Sequence, residues 1–482
     1  MTRDGMLTIV QLNDSHAYID LHQELFWEGG RAVYRKAGGY ARIAAVVGQI
    51  RKEQPDRVVF CDCGDTLHGT YAAVKTKGAA LVPILNALQF DAMSAHWEFG
   101  FGPAVLQQRT HELSYPMLAS NVYEKATGKP VFPSYIVKDI GGLRIGITGI
   151  ASNIVDKTMP PSYSEGMYFT LGRDELPPVV DALRTREKAD LILLISHLGL
   201  PQDVKLLSEV EGVDVCLSGH THHRLERPML AGKTILIQSG CHGSFLGRLD
   251  LKMEQGRIAG CRHALIEVEE AIAPDPDIAA MAREALAPYR DELSEIVGET
   301  ATALNRGTML EATMDNLLLE SIREITHAQA AFSNGWRYGA PVIPGPVTVN
   351  DLYNMIPMDP VISTVELTGE EIRAMLEENL ERTFSCDAYR QMGGYVKRCL
   401  GLRVFFKIEN PSGMRIQKIF IGDKELNPSG IYDAAYVTVQ GVPSNYGRNR
   451  SDHSEHIVGA IRKYLNNRVP VHAELKGTFT AI

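Results

Sequence analysis

The chain has 482 residues, of which 45% are hydrophobic and 22% are charged, a composition typical of globular proteins. Its length predicts two or three domains rather than one. The net charge of −9 argues against nucleic acid as a partner, because a polyphosphate backbone attracts basic proteins. No apolar run reaches the roughly 20 residues that a membrane helix needs, so no membrane partner is expected.

The first residues, MTRDGMLTIVQL, contain a short apolar part that leads directly into polar NDSH. This pattern lacks the features of a signal peptide. It predicts a cytoplasmic protein, or a periplasmic one if a leader has been removed. The seven cysteines are odd in number and widely spread, so no disulfide framework is expected.

The first part of the chain alternates short apolar runs with amphipathic stretches, which predicts an α/β domain. Residues 40–53 and 80–89 have the apolar spacing of helices. The predicted strands are Met6–Leu12, Arg57–Cys61, Leu143–Ile150, Leu191–Ile195, Val213–Leu217 and Thr234–Ile237.

Near residue 270 the pattern changes to a Pro-marked turn followed by a long helical stripe. We therefore predict a first domain over 1–270, a linker helix over 271–300 and a second, α+β domain over 301–482. The predicted elements of the second domain are a helix near 311–325, strands at 361–367, 402–408 and 414–421, and a late helix at 453–466.

Five apolar runs are each followed by a turn that is rich in potential metal ligands. The segments are VQLNDSH (10–16), CDCGDTLHG (61–69), SAHWEFG (94–100), LLISHLG (193–199) and SGHTHH (218–223). Binding residues of α/β proteins collect at the carboxyl ends of strands, so the five segments are expected to converge. Their metal-binding side chains are Asp14, His16, Asp65, His96, His197, His220 and His222.

Seven such side chains are too many for one tetrahedral ion and suit two ions that share a carboxylate. Manganese, zinc, iron and cobalt all accept nitrogen and oxygen ligands, and the sequence does not choose among them. Each segment alone could be an ordinary turn or contain a core histidine. The presence of all five at strand ends favours a site for two divalent ions.

The order of these segments resembles the calcineurin-like metallophosphoesterases and, more closely, the two-domain 5′-nucleotidase family. NDSH, CGDTLHG, ISHLG and SGHTH match its metal motifs, and EATMDNLLLESIRE (311–324) and SNGWRYG (333–339) resemble parts of its C-terminal domain. The resemblance implies an α/β fold: a four-layer metallophosphoesterase β-sandwich flanked by helices. A C-terminal α+β domain of 5′-nucleotidase type, which binds the substrate, would follow it.

The same resemblance implies roles for individual residues. One ion would be held by Asp14, His16, Asp65 and His222. Asp65 would bridge to a second ion, held also by His96, His197 and His220. The catalytic residues would be Asp65, His96, His197 and Asn121, the last contacting the substrate oxyanion. A hydroxide bridging the two ions would then cleave a phosphoester of a nucleotide or related small phosphate.

The third motif departs from the nucleotidase pattern Gly-Asn-His-Glu-Phe-Asp. His96 replaces the metal-binding asparagine, Trp97 replaces the histidine that assists the leaving group, and Gly100 replaces the aspartate partner of that histidine. Indole cannot transfer a proton usefully. His68 or His223 could supply the missing proton, or each could have a supporting or exposed role.

Four residues of the second domain are candidates for binding the substrate: Asn334, Arg337, Tyr395 and Arg403. Tyr395 would correspond to one of the two rings with which nucleotidases stack the base, or it could be a core tyrosine. The second ring has only Tyr446 as a loose candidate. Arg337 and Arg403 could grip an anionic group, since guanidinium binds phosphate and sulfonate in a bidentate way, or each could form a surface ion pair.

Three functions remain open from the sequence. The first is the phosphoester hydrolase described above. The second follows from HWEFG, which is similar to the sulfur-oxidation thiosulfohydrolases, enzymes that release sulfate from a cysteine S-thiosulfonate on a carrier protein. The third is a non-catalytic binding module that keeps the fold, which would predict low metal occupancy.

Overall fold

The computed structural model describes residues 4–482 and divides the chain into two compact units. The first unit comprises the residues up to His22 and Lys36–Pro288, and the second comprises Gln23–Arg35 and Tyr289–Ile482. The boundary at Pro288 lies inside the segment that the sequence predicted as a linker. A short hairpin from the N-terminal part of the chain is thus grouped with the second unit.

Strands and helices alternate in the part of the chain before residue 270. The strands are β1 (Gly5–Leu12), β2 (His22–Glu28), β3 (Arg31–Ala37), β4 (Val58–Asp62), β5 (Ala92–Met93), β6 (Val122–Glu124), β7 (Tyr135–Ile140), β8 (Leu143–Ile150), β9 (Met167–Phe169), β10 (Leu191–Ser196), β11 (Val215–Ser218), β12 (Met229–Ala231), β13 (Thr234–Ile237), β14 (Phe245–Glu254) and β15 (Arg257–Glu267). The α-helices are α1 (Tyr40–Glu53), α2 (Tyr71–Thr76), α3 (Val82–Leu88), α4 (Pro103–Glu112), α5 (Val155–Thr158), α6 (Leu176–Asp181) and α7 (Leu200–Glu209). The six predicted strands are all present, and so is the helix predicted at 40–53.

Two sheets form the centre of the first unit. One has the strand order β15-β14-β1-β4-β5 and the other has the order β12-β13-β11-β10-β8-β7. Buried residues of both sheets share one apolar core, including Ile9 and Val59 from the first sheet and Ile147 and Leu193 from the second. This agrees with the α/β class that the sequence pattern predicted and with the sandwich that the family resemblance implied. Strands β1, β4 and β5 run parallel, as do β8, β10, β11 and β13, so the carboxyl ends of several strands lie at one edge of each sheet.

The elements after residue 270 begin with helix α8, just before the boundary between the two units at Pro288. The strands are β16 (Ile296–Thr300), β17 (Ala330–Ser333), β18 (Gly345–Thr348), β19 (Val361–Thr368), β20 (Arg398–Leu400), β21 (Leu402–Phe406), β22 (Ile416–Ile421), β23 (Lys424–Glu425), β24 (Ile431–Val437), β25 (Arg448–His456) and β26 (Phe479–Ala481). The helices are α8 (Pro276–Leu286), α9 (Arg290–Ser294), α10 (Thr313–Thr326), α11 (Val349–Met355), α12 (Gly369–Phe384), α13 (Thr438–Gly441) and α14 (Ile457–Asn466).

In the second unit, a sheet of order β20-β17-β24-β19-β25 and a sheet of order β23-β22-β21-β26 share a core with helix α12. Helices α11 and α12 each begin with a capping box, Thr348 with Asp351 and Thr368 with Glu371, which fixes where they start. The α+β character agrees with the sequence prediction.

Two element predictions need correction. The linker over 271–300 is not one helix: α8 ends at Leu286, a turn at Ala287–Tyr289 follows, and α9 ends at Ser294 before β16. Pro288 lies in that turn and supplies no N–H to continue the helical ladder. The late helix starts at Ile457 rather than 453, because the residues before it pair as β25 with β19.

Candidate metal centre

The seven predicted metal-binding side chains all lie in the loops that follow β1, β4, β5, β10 and β11. Their donor atoms form two groups, and within each group the atoms lie within 4.8 Å of one another. The first group is Asp14, His16, Asp65 and His222, and the second is Asp65, His96, His197 and His220. Asp65 belongs to both. The structure thus brings together the two sets that the family resemblance implied.

In the first group, His222 Nε2 lies 3.2 Å from Asp14 Oδ1, and His16 Nε2 lies 3.7 Å from Asp65 Oδ2. The Nε2 atoms of His16 and His222 are only 3.2 Å apart. Two imidazole nitrogens that share a tetrahedral ion at 2.0–2.1 Å would be separated by about 3.3 Å. The spacing therefore fits two ligands of one cation.

In the second group, His96 Nδ1 lies 3.2 Å from Asp65 Oδ1, and His197 Nε2 lies 3.2 Å from Asp65 Oδ2. His197 Nδ1 lies 2.6 Å from the carbonyl oxygen of Cys63. A carbonyl can only accept, so Nδ1 donates, which orients the ring and leaves Nε2 facing Asp65. His220 also links this group to the first one, because its backbone N–H donates to Asp14 Oδ2 at 2.9 Å.

Many of these side chains sit on unusual backbone. Asp14, His16, Asp65, His220 and His222 have φ values between 47° and 71°, in the left-handed region. Non-glycine residues in that region cost of order 1 kcal/mol each and cluster at functional sites. The fold therefore holds five of the seven side chains in strained turns, which aims their donor atoms at a common centre.

The charges of the centre are arranged to receive cations. Burial raises the pKa of Asp65, but His96 and His197 lower it more, so that its pKa lies well below the usual range. Burial also raises the pKa of Asp14, which His222 and His197 lower more strongly. Burial lowers the pKa of His197, but Asp65 and Asp14 raise it to about 10. Two buried carboxylates are thus ionised and are balanced by protons on neighbouring imidazoles.

The residues fit two divalent ions. Both carboxylates and all the imidazoles are donors suited to zinc, manganese, iron or cobalt. His96 Nε2 is buried and has no hydrogen-bond partner within residues 4–482. Buried polar atoms are normally satisfied, so an unpartnered one in such a cluster points to a group that occupies the centre when the protein is functional.

Glu98 is a supporting residue that the sequence reasoning did not single out. Its buried carboxylate accepts hydrogen bonds from four backbone N–H groups. Oε2 accepts from His96 N at 2.8 Å and from Asp65 N at 3.2 Å, and Oε1 accepts from Thr66 N at 2.6 Å and from Leu67 N at 3.2 Å. One carboxylate thereby fixes both the Asp65 loop and the His96 loop. Its position two residues after His96 was the only sequence signal.

Trp97 lies against the second group. Its backbone N–H donates to Asp65 Oδ1 at 2.8 Å, and its half-buried ring stacks on His68 with centroids 4.8 Å apart and planes 19° apart. Burial lowers the pKa of His68 to about 4, so this imidazole is neutral at neutral pH and is a poor proton donor. A Cβ atom on Gly100 would lie 3.5 Å from both rings, an ordinary contact distance.

This chain is similar to several known proteins. Residues 296–439 match the family described as the 5′-nucleotidase C-terminal domain. The trifunctional nucleotide phosphoesterase YfkN of Bacillus subtilis is 24% identical over 90% of this chain, which spans only 32% of that protein. The 5′-nucleotidase of Diplobatis ommata is 26% identical over 86% of this chain and 76% of the relative.

Among solved structures, the sulfate thiohydrolase SoxB of Thermus thermophilus superposes with a TM-score of 0.92 at 26% identity. The alignment covers 99% of this chain and 96% of that one. The chain is therefore similar to 5′-nucleotidases over most of its length, and its C-terminal part matches the 5′-nucleotidase C-terminal domain family.

Three of the four predicted substrate residues of the second unit, Asn334, Arg337 and Tyr395, lie on two adjoining loops. Tyr395 N donates to Gly335 O at 2.7 Å, and Arg337 Nη2 donates to Gly394 O at 3.2 Å. The guanidinium carbon of Arg337 lies 5.7 Å from the centroid of the Tyr395 ring. Asn334, Arg337 and Tyr395 are each half-buried, so these loops present polar and aromatic groups together.

Two predicted site residues need correction. Asn121 is buried, and its Nδ2 donates to Ala151 O and Thr170 O while its Oδ1 accepts from Ala151 N. Its amide is fully used in joining three segments, so no donor remains for a substrate oxyanion. Arg403 is exposed and forms a surface ion pair with Asp423 at 3.4 Å, the alternative that the sequence had left open.

Tyr446 donates its hydroxyl to Glu378 and packs against the core of the second unit, so it is not a free ring for stacking. His223 is exposed, and its N–H donates to Gln238. All seven cysteines are free. Within residues 4–482, no helix has the length and apolar character needed to cross a membrane.

Proposed function

We propose that this protein is a dimetal-dependent hydrolase of phosphoric esters, with a nucleotide or a related small phosphate as substrate. The observation that carries the proposal is the pair of buried ligand groups that share Asp65. The names of the relatives, 5′-nucleotidase and nucleotide phosphoesterase, support the substrate class.

One ion would be held by Asp14, His16, Asp65 and His222, and the other by Asp65, His96, His197 and His220. Bound divalent cations would supply Lewis-acid stabilisation of a phosphoryl transition state and would lower the pKa of a water molecule between them. The protein contributes the placement of the ligands. The N–H of Trp97 fixes Asp65, and the N–H of His220 fixes Asp14. Glu98 accepts hydrogen bonds from the backbone of the Asp65 loop and of the His96 loop and so fixes both.

A test starts from metal-free protein prepared with a chelator and reloaded separately with manganese, cobalt, zinc or iron. We expect phosphate release from nucleoside monophosphates to disappear with the metal and to return with at least one of these ions. His197→Ala serves as the negative control for metal-dependent hydrolysis, because it removes one predicted metal ligand and leaves both carboxylates in place. Reloaded protein that binds metal but hydrolyses neither phosphomonoesters nor phosphodiesters would contradict the proposal.

A second candidate is a thiosulfohydrolase-like release of sulfate from a cysteine S-thiosulfonate on a carrier protein. Two specific observations favour it: the His96-Trp97 pair in the third motif, and the TM-score of 0.92 with a sulfate thiohydrolase. A synthetic peptide with an S-thiosulfonated cysteine distinguishes the two functions. Release of sulfate without phosphatase activity would favour this candidate, whereas no release with any metal would exclude it.

A further inference from the structure

A buried ion cluster of the second unit contacts the two loops that carry the candidate substrate residues. Arg306 Nε donates to Asp315 Oδ1 at 2.9 Å, and Arg398 Nε donates to Asp315 Oδ2 at 3.0 Å. The three side chains are at most 1% exposed. We call them the Arg306–Asp315–Arg398 cluster. Two guanidinium groups face one carboxylate, so the cluster has an excess positive charge in a buried place.

The remaining donors of the cluster bind backbone carbonyls of separate loops. Arg398 donates to Thr308 O at 2.7 Å and to Met309 O at 2.8 Å. Arg306 donates to Tyr338 O at 2.9 Å and to Met355 O at 2.6 Å. Asp315, in the first turn of α10, therefore anchors the 334–338 loop through Arg306.

The same cluster reaches the strand end that follows Tyr395. Arg398 is the first residue of β20, three residues after Tyr395, and pairs with Ser333 of β17 in the sheet. Its guanidinium carbon lies 5.4 Å from the centroid of the Tyr395 ring, and that of Arg306 lies 5.6 Å from the centroid of the Trp336 ring. Through Arg306 and Arg398, the Asp315 carboxylate is therefore linked both to the 334–338 loop and to the loop that carries Tyr395.

Burying an excess charge is costly unless another gain offsets it. Arg306 Nη2 is also buried without a hydrogen-bond partner among residues 4–482. A cluster whose only task was stability would be expected to have its charges and donors matched. The mismatch is consistent with a site where a fixed positive charge has a use.

We propose that the Arg306–Asp315–Arg398 cluster is the positioning unit for substrate recognition in the second unit. It holds Tyr395 and Arg337 in one fixed arrangement and keeps positive charge behind them, which selects a ligand that has both a planar ring and an anionic group. Arg306, Asp315 and Arg398 act through these neighbours and are positioning residues. The inference rests on the proposed function, because it assumes that the second unit binds the ring of a nucleotide.

The test uses the full chain loaded with metal, adenosine 5′-monophosphate as ringed substrate and glycerol phosphate as a substrate without a ring. Arg398→Gln removes one charge and the fork that binds the 308–309 carbonyls. The matched control is Arg415→Gln, which removes another buried arginine that pairs with Glu381 and donates to Ile408 O in the same unit. Thermal unfolding checks that each variant folds.

We expect Arg398→Gln to raise KM for adenosine 5′-monophosphate about tenfold, with a smaller change in kcat and in the KM for glycerol phosphate. Arg398→Lys, which keeps the charge but cannot bind both carbonyls, should raise the same KM by a smaller factor. It serves as the test variant if Arg398→Gln does not fold. Arg415→Gln should lower stability without this KM split.

Equal KM effects on both substrates, or an effect of Arg415→Gln as large as that of Arg398→Gln, would overturn the inference. Failure of the proposed function is recognised separately. If the wild-type protein hydrolyses neither substrate, calorimetric binding of adenosine 5′-monophosphate to metal-free protein replaces KM. Weaker binding by Arg398→Gln than by Arg415→Gln then supports the inference, and equal binding refutes it.

Discussion

Replacing Glu98 by glutamine tests whether one carboxylate holds the metal centre together. Glutamine has nearly the same shape, but one oxygen becomes an NH₂ group that cannot accept. In either orientation of the amide, two backbone N–H groups then face a donor. The groups are those of Asp65 and His96 on one side, or those of Thr66 and Leu67 on the other.

A hydrogen bond to a charged group contributes about 1.5–3 kcal/mol, so losing two costs about 3–6 kcal/mol in total. This loss is divided between folding and the placement of Asp65 and His96. Substitutions of groups that orient metal ligands typically weaken metal binding or activity by about 10–100-fold. We therefore expect Glu98→Gln to bind metal at least about tenfold more weakly than the wild type does.

Glu311→Gln is the matched control. Glu311 is a buried carboxylate in the second unit that also accepts four hydrogen bonds, from Asn316 Nδ2 and from the N–H groups of Lys476, Gly477 and Thr478. It should lose similar stability by thermal unfolding and keep its metal affinity in a calorimetric titration. If Glu98→Gln and Glu311→Gln lose stability equally and both bind metal normally, the positioning role of Glu98 is refuted.

Three further predictions concern the same centre. The double variant Trp97→His, Gly100→Asp, whose new Cβ at position 100 lies at ordinary contact distances, should gain phosphomonoesterase activity toward alkyl esters; unchanged rates would show that the missing pair is irrelevant. Neighbouring charges raise the pKa of His197 to about 10 and that of His222 to about 9, so both rings are protonated in metal-free protein at pH 7. Metal binding should then release protons, which calorimetry in buffers of different ionisation enthalpy measures. The metal affinity should also increase as pH rises from 7 towards 9, and an affinity that does not depend on pH would contradict this. Gly219→Ala places a Cβ 3.0 Å from His197 Nδ1 and should weaken metal binding while the protein still folds, so unaltered titrations would count against the observed packing.

The residues of the candidate metal centre could be predicted from the sequence because they follow strands with clear apolar runs. β10 is buried along its whole length, and the predicted ligand His197 is the next residue. Parallel strands then bring such ends to one edge without further information. The alternation of apolar runs with amphipathic stretches predicted the α/β class of the first unit, and the mixture of helix and strand patterns after residue 300 predicted the α+β class of the second.

The roles of Glu98 and Asn121 could not be predicted in this way. Glu98 reaches backbone groups more than 30 residues away, and Asn121 bonds to residues 151 and 170, so their roles depend on tertiary neighbours. The backbone strain at Asp14 and Asp65 could not be predicted from the sequence either, since aspartate does not require a positive φ. The break in the linker helix had a signal in Pro288, but the β16 pairing that follows did not.

An electron paramagnetic resonance spectrum of manganese-loaded protein tests directly whether two ions share Asp65. If they do, the protein binds two manganese ions per chain and gives the signal of an exchange-coupled pair, which Asp65→Asn converts into the signal of isolated ions or abolishes. A spectrum of isolated manganese at full loading of the wild-type protein, or saturation at one ion per chain, would contradict it.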